Sequence, residues 1–476
     1  MRSVVLPSQR SPFVSIRLLF TTGSADDPPG QEGLAALTGA LLAEGGTRAL
    51  TYEQLLAELY PMAAGIGVHV DRDVTVVEGT VHRDHLDRFY ELFRQVVLEP
   101  RWDTKEFERL KDDQRNALVS GLRAIDDEGF GMESLASLLH PGHAYGRPVE
   151  GTVRGIQALR PEDVAAFHAT RFTRDASILG LAGCVSPGFV ERVAGDLLRL
   201  PQRGPARDGV PAPVRPSGFD ALVVTKPARA WAISLGHSLA VTRADPDFFP
   251  LFLANSYFGE HRTFNGVLMT KMRTDRGLNY GDYSYVENFV QDGASTFALA
   301  NVPRRRQAFT IWIRPVAGEH AHFAIRLAVR ELRRLVRDGL SPEAFEETRA
   351  FLLNYSKLWT QTPSRRLGFA MDGAFHGGKS LVDELADRLP GMTVDDVNRA
   401  VRRHLQPERL SLAVIADPAG AEAFVDALAS NAPSPITYAT ETKPEVLSED
   451  RAIAIEALPV ERSRCRIVPA AVMFER

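Results

Sequence analysis

Two segments from the first half of this 476-residue chain recur, in the same order, in its second half. Pro342-Glu-Ala-Phe345-Glu is similar to Thr104-Lys-Glu-Phe107-Glu, and Met392-Thr-Val-Asp-Asp-Val397 is similar to Leu159-Arg-Pro-Glu-Asp-Val164. In both halves the second segment precedes a predicted helix, a strand and a closing helix. Duplication of one α+β unit is the simplest account. We therefore predict an α+β fold built from two homologous domains.

A proline-rich segment separates the two halves. Five prolines lie between residues 201 and 216, and proline favours an extended, semi-rigid linker. A chain of this length also exceeds what one hydrophobic core usually serves. We predict domains at residues 1–201 and 218–430, a linker at 202–217 and an extended tail at 431–476. The tail is expected to lie along a partner or along its own domain.

The composition is that of an ordinary globular protein and excludes several kinds of function. A formal net charge of −4 offers no basic surface for nucleic acid. Cys184 and Cys465 are too few for a disulfide framework or a cysteine zinc site. The longest nearly apolar run, Gly33 to Ala43, is shorter than the roughly 20 residues of a membrane span. No signal-peptide pattern opens the chain, so we expect a cytoplasmic protein without a membrane span.

The stretch from His261 to Tyr285 carries the clearest functional pattern. Apolar residues from Phe264 to Met272 recur at helical spacing, which predicts a short amphipathic helix with Arg273 and Arg276 exposed to solvent. Gly277 is expected to end this helix, and residues 279–289 alternate as in a strand. Tyr280 falls at the junction. A tyrosine in such a place is more often a packing residue than a ligand contact.

The order of residues in this stretch resembles a known signature. Arg273-x-x-Arg276-Gly277-Leu278-Asn279-Tyr280 is similar to the second-half motif of the insulinase/pitrilysin zinc metallopeptidase family, in which an arginine and a tyrosine hold the substrate backbone. The resemblance implies that Tyr280 binds a peptide substrate, helped by Arg262 and Asn279. Val267 stands at the family's arginine position, and Arg262 is predicted to lie about one and a half turns earlier on the same helix.

A second resemblance to this family lies near the amino terminus. Gly23-Ser24, Pro28-Pro29-Gly30 and Gly33-Leu34-Ala35 match the residues that frame the family's inverted zinc motif, His-x-x-Glu-His. The zinc ligands and the catalytic glutamate are missing. The two histidine positions are Ala36 and Ala40, the glutamate position is Gly39, and the glutamate pair of the third ligand falls on Asn116 and Ala117. We therefore predict no metal, no cofactor and no catalytic residue in this chain.

The resemblance implies a function as well as a fold. Each domain is expected to be a mostly antiparallel sheet packed with helices, and the chain to form half of a clamshell. We expect a non-hydrolytic subunit that binds peptide substrate in a heterodimer with a zinc-bearing homologous partner. The sequence leaves open whether the chain pairs with itself instead. The alternative is a purely structural subunit. A third hypothesis is an autonomous hydrolase that uses His82, His140 or His143. No glutamate lies beside these histidines in the sequence in an arrangement of metal ligand and catalytic base.

Overall fold

The structure is a computed structural model that describes residues 1–210, 217–263, 265–293, 295–438 and 441–476. Three sequence-based predictions fall partly outside these ranges: the linker at residues 211–216, the tail at residues 439–440, and the signature helix at Phe264, its first predicted residue. Within the described ranges, no helix is both long and apolar enough to cross a bilayer.

The first half of the chain forms a five-stranded sheet, the first sheet, with helices packed on it. Its strands are β1 (Arg2–Pro7), β2 (Phe13–Phe20), β3 (Gly65–Val70), β4 (Thr75–His82) and β5 (Ser177–Gly183). The helices of this half of the chain are α1 (Leu34–Glu44), α2 (Tyr52–Leu59), α3 (Leu86–Leu98), α4 (Thr104–Asn116), α5 (Asp127–Leu139), α6 (Val153–Ala158), α7 (Pro161–Arg171) and α8 (Pro187–Asp196). The strand order is β1-β5-β2-β4-β3, and β1 and β5 are the parallel pair.

The second half forms a six-stranded sheet, the second sheet. Its strands are β6 (Phe219–Thr225), β7 (Trp231–Leu239), β8 (Asp282–Tyr285), β9 (Gln307–Val316), β10 (Ser411–Ala416) and β11 (Val460–Pro469). The helices of this half of the chain are α9 (Phe248–Gly259), α10 (Ala321–Asp338), α11 (Pro342–Tyr355), α12 (Pro363–His376), α13 (Leu381–Arg388), α14 (Val394–His404), α15 (Pro418–Ala429) and α16 (Pro444–Ile453). The strand order is β11-β6-β10-β7-β9-β8.

The two sheets share one topology. With β11 set aside, the order β6-β10-β7-β9-β8 reproduces β1-β5-β2-β4-β3 strand for strand. Each sheet pairs its first and last common strands in parallel and the other neighbours antiparallel. The predicted fold class is confirmed, since both domains are mostly antiparallel sheets packed with helices. The shared order is what a duplicated unit would give, although the duplication itself stays a prediction.

The two halves exchange a helix. Helix α5 of the first half packs on β7 and β10 of the second sheet, and α12 of the second half packs on β5 and β1 of the first. Glycines permit the close approach: a methyl group added at Gly180 of β5 would stand 2.3 Å from the sulfur of Met371 on α12. One added at Gly131 of α5 would stand 3.3 Å from Ser234 Oγ on β7. Each sheet is therefore covered in part by the other half.

The tail contains a helix and a strand, where an extended segment was predicted. Helix α16 and strand β11 belong to it, and β11 extends the second sheet in parallel with β6. Arg276 is also not exposed as predicted. Its buried guanidinium pairs with Glu449 and Asp450 of α16, each at 2.8 Å. The sequence pattern missed this because the partners lie more than 170 residues away.

The end of the tail fills the junction between the halves. Phe474 is 7% exposed in an apolar cluster with Phe130 of α5 and Val224 of β6, and its carbonyl accepts a hydrogen bond of 3.0 Å from the Val153 backbone. Because burial of a phenylalanine side chain stabilises by roughly 1.5–3 kcal/mol, we expect Phe474→Ala to lower the free energy of unfolding by about that amount.

Chemical denaturation of the full chain measures the effect of Phe474→Ala. Tyr60→Ala is the matched control, since Tyr60 is 87% exposed and its loss should change stability by no more than about 0.5 kcal/mol. Equal effects of the two substitutions would contradict a structural role for Phe474.

Candidate functional site

Helix α1 carries the positions of the degenerate zinc motif. It begins after Gly33, whose φ of 109° suits glycine, and the carboxylate of Asp27 accepts hydrogen bonds from the backbone nitrogens of Gly33 and Ala35 at 2.8 and 2.7 Å. Burial raises the pKa of Asp27 to about 7. The start of the helix is therefore fixed by its own backbone and by Asp27.

The four motif positions offer nothing to a metal ion. Ala36 and Ala40 on α1 are partly exposed, and Gly39 is buried against β3. Ala117 is exposed on the π-helical turn Ala117–Leu122 that follows α4. Alanine and glycine side chains carry no donor atom, so these residues do not fit zinc. Across the described ranges, no group of three or more His, Cys, Asp or Glu residues could hold a metal ion.

Packing also leaves no room for a larger side chain at Gly39, the position of the catalytic glutamate in the motif. A methyl group added at Gly39 would stand 2.5 Å from Val70 Cγ2 on β3. We expect Gly39→Glu to destabilise the fold by about 1–3 kcal/mol, the usual cost of overpacking. Ala40→Glu introduces the same side chain one residue later at a partly exposed position, so its cost should be smaller. Chemical denaturation of both variants tests this, and equal stability would show that α1 accommodates a glutamate at position 39.

Tyr280 is presented to solvent between two arginines. Its side chain is 70% exposed, and the guanidinium carbons of Arg273 and Arg314 lie 4.5 and 5.7 Å from the ring centroid. Arg314, on β9, also pairs with Glu128 of α5 at 3.0 Å. The two cations hold the ring in place through cation–π contacts. Among the described residues, none hydrogen-bonds the phenol oxygen.

Asn279 holds the turn on which Tyr280 lies. Its amide nitrogen donates to Asp282 Oδ1 at 2.7 Å and to the Arg314 carbonyl at 2.9 Å, and its amide oxygen accepts from the Gly281 nitrogen at 3.2 Å. Asp282 is fully buried, and burial raises its pKa to about 8. These bonds occupy the Asn279 side chain within the turn, so it positions Tyr280.

Arg262 lies in a turn, which corrects its predicted place on the signature helix. It follows α9 with a φ of 54°, and the helical residues begin only at Val267. The exposed Arg262 side chain lines a cleft of about 200 Å³ together with Glu128, Trp312 and Arg314. The predicted strand at 279–289 is likewise confined to β8. Arg262 and Tyr280 are thus linked through Arg314, which lines this cleft and faces the Tyr280 ring.

Two site residues were missed by the sequence analysis. Trp312 and Arg314 of β9 face the 200 Å³ cleft, and Trp312 also lines an adjoining cleft of about 340 Å³ between α5 and the second sheet. The signal was present in β9, where Phe309, Ile311 and Ile313 alternate as buried residues. Period-two alternation places residues 312 and 314 on the opposite face.

The structure gives no support to the hypothesis of an autonomous hydrolase that uses His82, His140 or His143. The rings of His140 and His143 both lie 5.3 Å from the ring of Tyr145, in packing contacts. Burial lowers the pKa of His140 to about 4, so this imidazole is neutral. His82 uses Nδ1 to accept a hydrogen bond from the Asp84 backbone.

A buried ionic cluster joins the halves beside the clefts. The turn Asp71-Arg72-Asp73 between β3 and β4 was predicted only as a turn, yet all three residues are buried. Asp71 pairs with Arg304 at 2.8 Å, and Asp73 pairs with Arg305 at 2.8 Å and Arg207 at 2.9 Å. Burial alone would raise the pKa of Asp71, but the Arg304 guanidinium lowers it below its usual value. The pairs with Arg304 and Arg305 connect the first sheet to the second half, and Arg207 belongs to the segment between the halves.

Two family models match the chain. One, described as Insulinase (Peptidase family M16), matches residues 3–134, and the other, described as Peptidase M16 inactive domain, matches residues 158–352. Together they match more than half of the chain. The chain belongs to peptidase family M16. An M16 chain whose zinc positions carry alanine and glycine fits a non-catalytic member of the family.

Curated relatives of this M16 chain include proteins named as zinc proteases. Uncharacterized zinc protease SCO5738 of Streptomyces coelicolor is 24% identical over 422 residues, which cover 86% of this chain and 86% of that protein. Uncharacterized zinc protease YmxG of Bacillus subtilis is 19% identical over 413 residues, covering 86% of this chain and 94% of that protein.

Solved structures share the fold of this M16 chain. The peptidase M16 inactive domain from Pseudomonas fluorescens aligns with a TM-score of 0.76 and 21% identity, covering 87% of this chain and 95% of that one. A protease from Helicobacter pylori aligns with a TM-score of 0.72 and 14% identity, covering 87% and 96%. At these identities the likeness concerns the fold alone.

Proposed function

We propose that this M16 chain is the non-hydrolytic, substrate-binding subunit of a heterodimeric zinc metallopeptidase that cleaves peptides. The observation that carries the proposal is the contrast between two sites. The zinc positions at Ala36, Ala40 and Ala117 have no donor atoms, whereas Tyr280 is exposed and oriented by two arginines. A chain that has lost its metal ligands but presents this tyrosine is suited to binding and unsuited to hydrolysis.

The proposed role of Tyr280 follows from its chemistry. A phenol donates a hydrogen bond, so Tyr280 binds a carbonyl oxygen of the peptide backbone. Arg314 and Arg262 line the neighbouring cleft and add positive charge where a carbonyl becomes more negative. Asn279 keeps the turn in one conformation. The zinc of the partner, held by its own His-x-x-Glu-His motif, would supply the activated water.

The peptide is expected to bind in an extended conformation. Strand β8 ends the second sheet, and β3 ends the first, beside α1. An edge strand can pair with the backbone of a peptide, which gives affinity through main-chain groups and leaves sequence preference loose.

One observation favours a second candidate function, that of a structural subunit without a role in proteolysis. Val267 occupies the position of the family's substrate-binding arginine, and its side chain is partly buried against the core of the second half. If neither Arg262 nor Arg314 replaces that arginine, substrate binding is incomplete and the chain serves as a scaffold.

Peptide hydrolysis by separate and mixed subunits tests the proposal. The chain is assayed alone, a zinc-bearing M16 homologue from the same organism is assayed alone, and the two are mixed in equal amounts. We expect hydrolysis only in the mixture, together with a complex of the two chains in size-exclusion chromatography. If the homologue hydrolyses peptides equally well with and without this chain, the result would favour the scaffold. Hydrolysis by this chain alone would overturn both candidate functions.

A further inference from the structure

A cavity of about 80 Å³ lies in the second half, behind the loop that follows β8. It is lined from α9, α11, α12 and residues 286–289, 296–299 and 302–303. Several aromatic side chains line it, among them Phe252, Phe289, Phe297, Tyr355, Trp359 and Phe369. Some of these rings contact one another, with 5.6 Å between the centroids of Tyr355 and Trp359. Part of the cavity wall is therefore aromatic.

The polar side of the cavity carries an excess of negative charge. Arg243, Glu260, Glu287 and Asp372 all line it. Arg243 pairs with Glu287 at 2.8 Å and lies 4.0 Å from Asp372. Glu260 forms no ion pair with any Lys, Arg or His in the described ranges. One cation faces three carboxylates, which leaves Glu260 without a counter-ion inside an aromatic wall.

A buried carboxylate that has hydrogen-bond donors but no counter-ion is costly. Burial raises the pKa of Glu260 to about 7, which reflects how poorly the site tolerates the negative charge. The aromatic faces next to it present negative electrostatic potential, which attracts cations. Carboxylate and rings thus favour the same ligand charge.

The cavity is accessible to a side chain entering from the surface. Thr296 is exposed, and Phe297 and Tyr355 are partly exposed along the same side of the wall. The cavity also shares Tyr285 and Phe289 with the 340 Å³ cleft. The volume exceeds the roughly 10–15 Å³ that a cavity needs to hold one water molecule, so the cavity has room for an ammonium group and part of its methylene stem.

We propose that this cavity binds a primary alkylammonium group, that of a lysine side chain in the bound peptide. Glu260 pairs with the ammonium, and Phe297, Tyr355 and Trp359 surround its methylene stem. The assignment to a peptide lysine rests on the proposed function. It adds one side-chain preference to recognition that otherwise depends on the peptide backbone.

Direct binding to the full chain, without a partner subunit, tests the inference. Isothermal titration calorimetry and tryptophan fluorescence, to which Trp359 contributes, compare Nα-acetyl-lysine methylamide with its norleucine analogue. We expect the lysine probe to bind at least about tenfold more tightly, because only its ammonium group forms a desolvated ion pair with Glu260 and cation–π contacts with the rings.

Three variants assign that preference to the cavity. Glu260→Gln should abolish the discrimination between the two probes while the fold is kept, because glutamine retains hydrogen bonding and removes a poorly solvated charge. Phe297→Leu should weaken lysine binding several-fold through loss of the ring. Glu347→Gln is the matched control at an exposed position of α11 and should change nothing. Equal affinity for the two probes, or undiminished discrimination in Glu260→Gln, would overturn the inference.

A further probe distinguishes the source of the ammonium group. Free n-butylamine that binds as tightly as the lysine probe would overturn the assignment to a peptide lysine and leave a site for free alkylamines. Because these titrations use the chain alone, they are independent of the hydrolysis assay. Hydrolysis in the mixture without lysine binding overturns only this inference, and lysine binding without hydrolysis overturns only the proposed function.

Discussion

Asp73→Asn is expected to lower the free energy of unfolding by about 3–5 kcal/mol, the range found when one partner of a buried ion pair is removed. Asp73 is fully buried in the turn between β3 and β4. Its carboxylate accepts hydrogen bonds from the Tyr145 hydroxyl, from the Arg305 backbone and guanidinium, each at 2.8 Å, and from Arg207 at 2.9 Å. All of these hydrogen-bond partners of Asp73 are donors.

The substitution is severe because asparagine replaces one of the two acceptor oxygens of Asp73 with an amide nitrogen, which is a donor. Its amide nitrogen would face donors, and Arg305 would lose its counter-ion in a part-buried place, whereas Arg207 keeps its second partner, Asp26. The effect should therefore exceed that of any exposed ion pair in the chain. Asp84→Asn is the matched control, since Asp84 and Arg83 form a largely exposed pair at 3.8 Å that contributes about 1 kcal/mol or less.

Urea unfolding followed by circular dichroism measures both variants. A loss for Asp73→Asn no larger than that for Asp84→Asn would mean that the cluster adjusts or admits water, and that the ion pairs of Asp73 contribute little to stability.

The second large effect is expected in catalysis by the mixed subunits. Tyr280→Phe should lower kcat/KM of the mixture by about 100-fold or more, since loss of one preorganised donor to a reacting carbonyl typically costs 10²–10³ in rate. Phenylalanine keeps the ring between Arg273 and Arg314 and removes only the hydroxyl. Because Tyr280 is 70% exposed, the stability of the chain should stay within about 0.5 kcal/mol of the original.

The Tyr280 comparison needs a control for the loss of a phenol as such. Tyr60→Phe removes the hydroxyl of an 87% exposed tyrosine remote in sequence from the signature stretch, and it should leave hydrolysis unchanged. If Tyr280→Phe also leaves hydrolysis unchanged while the two chains still associate, the substrate-binding role is wrong and the scaffold remains.

The sequence was informative where the pattern was local or repeated. The recurrence of Phe107 and Phe345 at equivalent helices predicted two related α+β domains. The alternation in β9 assigns Arg314 to the face opposite Ile311 and Ile313, whereas its proximity to Tyr280 is visible only in the structure. Both signals arise from residues close in the chain, whose periodicity follows from helix and strand geometry.

The sequence was uninformative where charges meet across long separations. Arg276 was predicted to be exposed, yet it is buried because α16 returns to it. The turn at Asp71 and Asp73 has the polar composition of any surface turn, and nothing nearby shows that Arg304 and Arg305 will cover it. Such pairings depend on tertiary structure, and a single sequence contains no local mark of them.

The exchange of α5 and α12 determines how this chain can acquire its structure. Leu19, Val76 and Ile178 of the first sheet form a cluster with Leu367 and Met371 of α12, which are synthesised almost two hundred residues after the sheet's final strand. The amino-terminal half therefore emerges from the ribosome with one apolar face bare. Its folding must wait for distant contacts, which makes the process slow and exposes the nascent chain to aggregation. A chaperone that shields this face during synthesis would meet the need.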